Sequence, residues 1–98
     1  MRAGEMHCSD VREADRAMAA NFQNNLGHIE QGYPNAERNY TAMQRARAHF
    51  ECAIAYLPTH IDALFNLGFA MERMGEARTA QTFYARVLTI QPSHASAI

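Results

Sequence analysis

The chain of 98 residues contains no lysine and no tryptophan, only two cysteines and three prolines, and no long apolar segment. A membrane-spanning helix requires roughly 18–20 consecutive apolar residues, so we expect no membrane insertion. Acidic residues number 10 and basic residues, all of them arginine, number 9, which gives a net charge of -1. A nearly neutral chain is not attracted to nucleic acid or to an anionic membrane surface. We therefore expect neither as a partner.

The two cysteines, Cys8 and Cys52, stand at unrelated positions of the sequence. Cys8 lies near the N-terminus, whereas Cys52 lies in a helical pattern, where a cysteine commonly serves as a small buried apolar side chain. This arrangement does not indicate a disulfide framework. The first ten residues also lack the apolar stretch of a signal peptide. Together these features predict a cytoplasmic protein.

Motifs for catalysis or cofactor binding are missing as well. The sequence has no glycine-rich phosphate loop, no nucleophile elbow and no paired-carboxylate constellation. His49 and Cys52 could share one helix face, but a closed zinc site needs four ligands; a partly exposed histidine beside a buried cysteine is the simpler interpretation. We therefore predict no catalytic residue, no metal, no cofactor and no enzymatic activity.

Apolar residues recur at the helical period, and the alternation typical of strands is absent. Asp10 and Thr59 are candidate N-caps, and Gly75 is suited to a left-handed helix end. Most aromatic residues, including Phe22, are expected in the core. Four helices are predicted, from Ser9 or Asp10 to Gln31, from Pro34 or Asn35 to Leu57, from Thr59 to Met74, and from Glu76 to Ile90.

A repeat of 34 residues dominates the second half of the chain. Its matched positions are Ala46, Phe50 and Pro58 in one copy and Ala80, Tyr84 and Pro92 in the next. The pattern Leu64-x-x-Leu67-Gly68-x-x-Met71 precedes the second copy. A fixed period of this length is typical of stacked helical repeats.

Residues 61–94 resemble the tetratricopeptide family. The positions that carry the resemblance are Leu64, Asn66, Leu67, Gly68, Met71, Gly75, Ala80, Tyr84 and Pro92. Three positions have a residue that differs from the usual one in the family. Leu64 replaces tryptophan, Met71 replaces an aromatic residue and Val87 replaces alanine. The resemblance implies an all-α fold in which antiparallel helix pairs stack as a short α-solenoid.

We predict a single domain, with an irregular first repeat at about 9–58, a regular second repeat at 59–94 and the truncated start of a further helix at 95–98. The first repeat fits if Asn25-Leu26-Gly27 corresponds to Asn66-Leu67-Gly68. That correspondence requires seven additional residues between Gly32 and Met43, close to two helical turns, which would lengthen the second helix at its start. Alternatively, the first helix is only loosely repeat-like.

In the family, one face of the first helix of each pair lines a concave groove that binds peptides. The resemblance therefore implies a protein–protein interaction module that binds a peptide or helix of a partner. The implied partner-binding residues are Asn25, His28, Asp62, Phe65, Asn66, Phe69 and Arg73. Alternatively, Phe65 and Phe69 pack on the first helix pair or on a second copy of the chain. In that case the two asparagines are simply common residues at their position in the repeat.

The alternative function is self-assembly as a scaffold. Two helix pairs fall short of the roughly three repeats that such arrays usually need. Leu88, Ile90 and residues 95–98 would leave an apolar end, which a homo-oligomer would cover. A fragment of a longer repeat array would have the same appearance.

Overall fold

The computed structural model describes residues 8–32 and 40–92. They form a short 3-10 turn, Glu13–Asp15, and four helices: α1 (Arg16–Gly32), α2 (Tyr40–Tyr56), α3 (Ile61–Arg73) and α4 (Ala77–Ile90). No strand occurs in these two ranges, which confirms the predicted all-α class. The start predicted for the second helix, at Pro34 or Asn35, and the segment 95–98 lie outside the described residues. Within them, no helix combines the length and apolarity needed to cross a bilayer.

The helices form two antiparallel hairpins. In the first, Arg16 at the start of α1 contacts the end of α2. At the other end, Glu30 of α1 forms an ion pair at 3.1 Å with Arg45 near the start of α2. In the second hairpin, residues 74–76 connect α3 to α4, and Gly75 has the left-handed backbone (φ 85°) that favours glycine.

The core lies where α2 packs against α3, and small side chains make this contact close. Ala46 and Ala53 of α2 and Ala63 and Ala70 of α3 have no exposed surface. One buried cluster consists of Met43, Ala46, Phe50, Leu67, Ala70, Met71 and Ala80. A second consists of Ala20, Cys52, Ala53, Tyr56 and Ala63.

In each hairpin, a glycine of the first helix lies against an aromatic ring of the second. A Cβ atom on Gly27 would come within 2.5 Å of Cε1 of Phe50, and one on Gly68 within 2.7 Å of Cε1 of Tyr84. The glycine and the ring are 23 residues apart in the first hairpin and 16 in the second, from the residue numbers. The difference is seven residues, which lie between the glycine and the ring of the first hairpin.

We predict that Gly27→Ala destabilises the protein. Because Phe50 is fully buried, its ring has no space to move away from the added methyl group. Overpacking typically costs about 1–3 kcal/mol, which exceeds the roughly 1 kcal/mol that alanine gains over glycine within a helix. Chemical denaturation measures the change, with Gly32→Ala as control, since a Cβ atom at Gly32 would meet nothing within 4 Å beyond its own stretch of helix. Equal stability of the two variants would contradict the close contact.

The prediction of free thiols is wrong, because Cys8 and Cys52 form a disulfide. The segment before α1 folds back over the end of α2, where the Tyr56 hydroxyl donates a hydrogen bond to the carbonyl of Ser9. Cys8 and Val11 pack against the second cluster. Disulfides persist mainly in oxidising compartments, so the cysteines no longer argue for a cytoplasmic location.

The same segment explains why the first helix begins later than predicted. A helix from Ser9 or Asp10 would carry Cys8 away from Cys52, so residues 8–12 are not helical and α1 begins at Arg16. The Arg16 guanidinium then donates to the carbonyls of Ala55 and Tyr56, at 2.8 and 3.0 Å. These carbonyls at the end of α2 would otherwise have no partner within the helix.

Reduction of the disulfide should lower the free energy of unfolding. The bond joins residues 44 positions apart, and a closed loop of that length corresponds to about 4 kcal/mol on the chain-entropy relation. Thermal unfolding with and without a reducing agent measures the effect. A variant with both cysteines replaced by alanine is the control and should not respond. Detection of two free thiols per chain in the oxidised, folded protein would contradict the bond.

Two further sequence predictions are wrong. Phe22, expected in the core, is 60% exposed. The N-cap of α3 is His60 rather than Thr59, and its imidazole accepts a hydrogen bond from the Ala63 backbone at 3.1 Å. Histidine is not among the favoured capping residues, which is why the sequence pointed to the threonine beside it.

Candidate peptide-binding surface

Helices α1 and α3 lie side by side and run in the same direction. Asn21 of α1 hydrogen-bonds to His60 before α3 at 2.7 Å, and Asn24 to Asn66 one turn further along at 3.1 Å. We use the name α1–α3 surface for the face formed by Asn25 and His28 of α1, Asp62, Phe65, Asn66, Phe69 and Arg73 of α3, and Tyr84 at the adjoining edge of α4.

The His60 imidazole joins the two hairpins in a defined tautomer. Its Nδ1 atom accepts from the backbone N–H of Ala63, so it carries no proton. Its Nε2 atom lies 2.7 Å from the Asn21 side-chain oxygen, so it must donate. One side chain thus caps α3 and holds α1 against it. Sequence reasoning missed this residue, because its role depends on a residue 39 positions away.

Two predicted residues, Phe65 and Phe69, provide an aromatic strip along α3. They are one helical turn apart and both are half-buried. The Phe65 ring lies 5.5 Å from the ring of Tyr84 on α4, at 44°, a tilted arrangement that is favourable for aromatic pairs. The strip therefore continues from α3 onto α4.

Charged groups of both signs surround this strip. The Arg73 guanidinium lies over the Phe69 ring, 4.8 Å from its centre, in a cation–π contact. The Tyr84 hydroxyl donates a long hydrogen bond of 3.4 Å to Glu72. Burial raises the pKa of the Tyr84 phenol, and the Glu72 carboxylate raises it further, so the hydroxyl remains a donor. Asp62 is exposed at the beginning of α3.

The predicted asparagines have different surroundings. The Asn66 amide donates to the Asn24 oxygen, so it already has a partner in the neighbouring hairpin. Asn25 is exposed, and so is His28, one turn beyond Asn24. The structure thus brings Phe65, Phe69 and Arg73 together, whereas Asn66 connects the two hairpins.

The histidines and cysteines form no metal site in the part of the chain that the structure describes. No group of three or more potential ligands occurs there, and Cys52 is bound to Cys8. His49 instead hydrogen-bonds to Gln23 of α1 at 2.8 Å. Burial lowers the pKa of His49, and the positive charge of Arg45 also lowers it, while Glu30 opposes them.

Comparisons with known proteins found no matching family model, no similar curated protein and no similar solved structure. The resemblance to the tetratricopeptide family therefore remains a prediction from the sequence pattern.

We predict that Asn66→Ala lowers stability, while Asn25→Ala does not. The first change leaves the half-buried side-chain amide of Asn24 without its hydrogen-bond partner. This should lower the free energy of unfolding by about 1 kcal/mol. The second removes an exposed side chain. Urea denaturation of both variants measures the difference. If the two behave alike, the Asn24–Asn66 bond contributes nothing to the contact between hairpins.

Proposed function

We propose that this chain is a protein–protein interaction module and that its α1–α3 surface binds a peptide or helix of a partner protein. The observation that supports it best is the aromatic strip of Phe65, Phe69 and Tyr84. Large aromatic side chains that remain half-exposed next to one another are enriched where proteins bind other proteins.

The charges around the strip suggest what kind of segment would bind. An apolar side chain of the partner would lie against Phe65 and Phe69. Polar or charged neighbours of that side chain would meet Arg73 on one side and Asp62 or Glu72 on the other. Since both signs are present, charge would orient the segment along α3 rather than supply most of the affinity.

The proposal assigns the predicted residues unequal roles. Phe65 and Phe69 are the apolar anchors, and Arg73, Asp62 and His28 are polar contacts at the rim, with Asn25 at its outer edge. Asn66 contributes indirectly, by holding α3 beside α1 through Asn24. Grooves between helices commonly bind peptides in this way, with a few apolar anchors that provide most of the binding energy.

The test is to select peptides from a displayed library against the folded, oxidised chain and to measure their affinities by calorimetry. Phe65→Ala and Phe69→Ala should each weaken binding about tenfold or more, since loss of an anchor typically costs more than about 1.4 kcal/mol. Tyr40→Ala is the matched control, because Tyr40 is an exposed aromatic residue at the start of α2.

Equal affinity of a selected peptide for all of these variants would overturn the proposal. So would a library that yields no binder. Circular dichroism on each variant separates loss of binding from loss of fold.

A further inference from the structure

A second surface lies on the side of α1 that is turned away from α2, next to the α1–α3 surface. It consists of Met18, Phe22 and Ile29, which are 73%, 60% and 55% exposed. We call it the α1 stripe. These residues follow the spacing of a single helix face, whereas Ala20 and Gly27, which are buried, lie on the other side of the helix. Three large exposed apolar side chains in one row are more than scattered surface residues.

In the second hairpin, the corresponding face of α3 is buried. When Gly27 is matched to Gly68 through their equivalent ring contacts, Phe22 corresponds to Ala63 and Ile29 to Ala70. Ala63 and Ala70 are fully buried in clusters with residues of α2. The face that carries the α1 stripe is thus the face through which α3 packs on a helix.

The charge pattern of α1 indicates which partner suits this face. From Ala17 to Ile29 the helix has no acidic or basic side chain other than its histidine. Exposed faces normally carry charge, and a charged face repels its own copy. A neutral apolar face with amide groups at its edge, here those of Asn21 and Asn25, can contact an identical face without that penalty.

The spacing of the stripe also suits an antiparallel contact between two copies of α1. If two copies of α1 cross antiparallel with the twofold axis between residues 23 and 24, Met18 faces Ile29 of the other copy and Phe22 faces Asn25. Each bulky group then meets a different group rather than itself. This is the self-complementarity that a twofold interface requires.

From these observations we propose that the chain forms a twofold dimer with a second copy of itself through the antiparallel contact of two α1 stripes. One pair of helices of this length, about 25 Å, buries less than the roughly 800 Å² per partner of a standard interface. The dimer should therefore be weak, with a dissociation constant on the order of tens of micromolar.

The other exposed end is less suited to this contact. Sequence reasoning placed the apolar end at Leu88 and Ile90 of α4. Leu88 is half-buried and Ile90 is 39% exposed. Arg86, one helical turn before Ile90, is exposed as well, so two copies of that face would bring like charges together.

Sedimentation velocity over a range of concentrations tests the proposal on the oxidised chain. The wild type should shift from monomer to dimer as the concentration rises. Phe22→Asp should raise the dissociation constant at least about tenfold, because it places a carboxylate in the centre of the apolar contact. Ile90→Asp is the matched control at the other end and should leave association unchanged. Circular dichroism confirms that both variants fold.

A pair of charge changes tests the antiparallel register. Met18→Lys and Ile29→Glu should each weaken the dimer, since each places an unpaired charge against an apolar side chain. The double variant should associate more tightly than either single variant, because Lys at 18 would then face Glu at 29 of the other copy. A double variant that associates no more tightly than the tighter of the two single variants overturns the register.

Three other results would overturn the proposal. The first is a monomer at every concentration, in which case the stripe is covered by another part of the same chain or by a different protein. The second is an Ile90→Asp variant that dissociates while Phe22→Asp does not. The third is a dimer linked by exchanged Cys8–Cys52 disulfides, which a non-reducing gel would reveal.

Discussion

The close contact between a glycine and an aromatic ring determines how near the two helices of each hairpin lie. With Gly27 beneath Phe50, α1 lies close enough to α2 for Ala20 and Ala53 to share one buried cluster. That position in turn places Asn24 of α1 within hydrogen-bond distance of Asn66 on α3. The α1–α3 surface therefore depends on a contact that is itself buried on the other side of α1.

The two rings show how equivalent positions come to serve different purposes. Phe50 is fully buried because α3 packs over it, and its cluster includes Leu67, Ala70 and Met71. Tyr84 lies against its glycine in the same way, but it remains half-buried. Its hydroxyl can therefore reach Glu72 at the surface, and its ring extends the aromatic strip. One position thus supports the core in the first hairpin and the candidate binding surface in the second.

Sequence alone predicted what depends on local spacing. The four helices, the left-handed Gly75, and the placement of Phe65 and Phe69 on one face of α3 follow from intervals of three and four residues. Features that depend on contacts between distant segments could not be predicted. The disulfide requires the N-terminal segment to fold back over α2, and His60 caps α3 in place of Thr59 while also reaching Asn21 on another helix.

Phe22 illustrates a different limit. Its helical spacing resembles that of the core aromatics, and a sequence does not reveal whether a further helix covers a given face. Only the position of α2 on one side of α1 and α3 on a second shows that the Phe22 side lacks a neighbour among the described helices. An apolar period therefore identifies a face that can be buried, while the arrangement of the other helices decides whether the chain buries it by itself.

The two proposed surfaces lie on neighbouring faces of α1, with Asn25 at their common edge, and this has a consequence for binding. Asn24 faces α3, whereas Phe22, two residues earlier and thus about 200° around the helix, faces away from it. A dimer formed through the α1 stripe would cover Asn25 but leave the aromatic strips of α3 and α4 open, related by the twofold axis. A partner with two copies of a binding segment could then occupy both, and the second contact would form at a high effective concentration. Weak self-association and peptide binding would in that case combine into firmer attachment to a partner that is itself dimeric or repetitive.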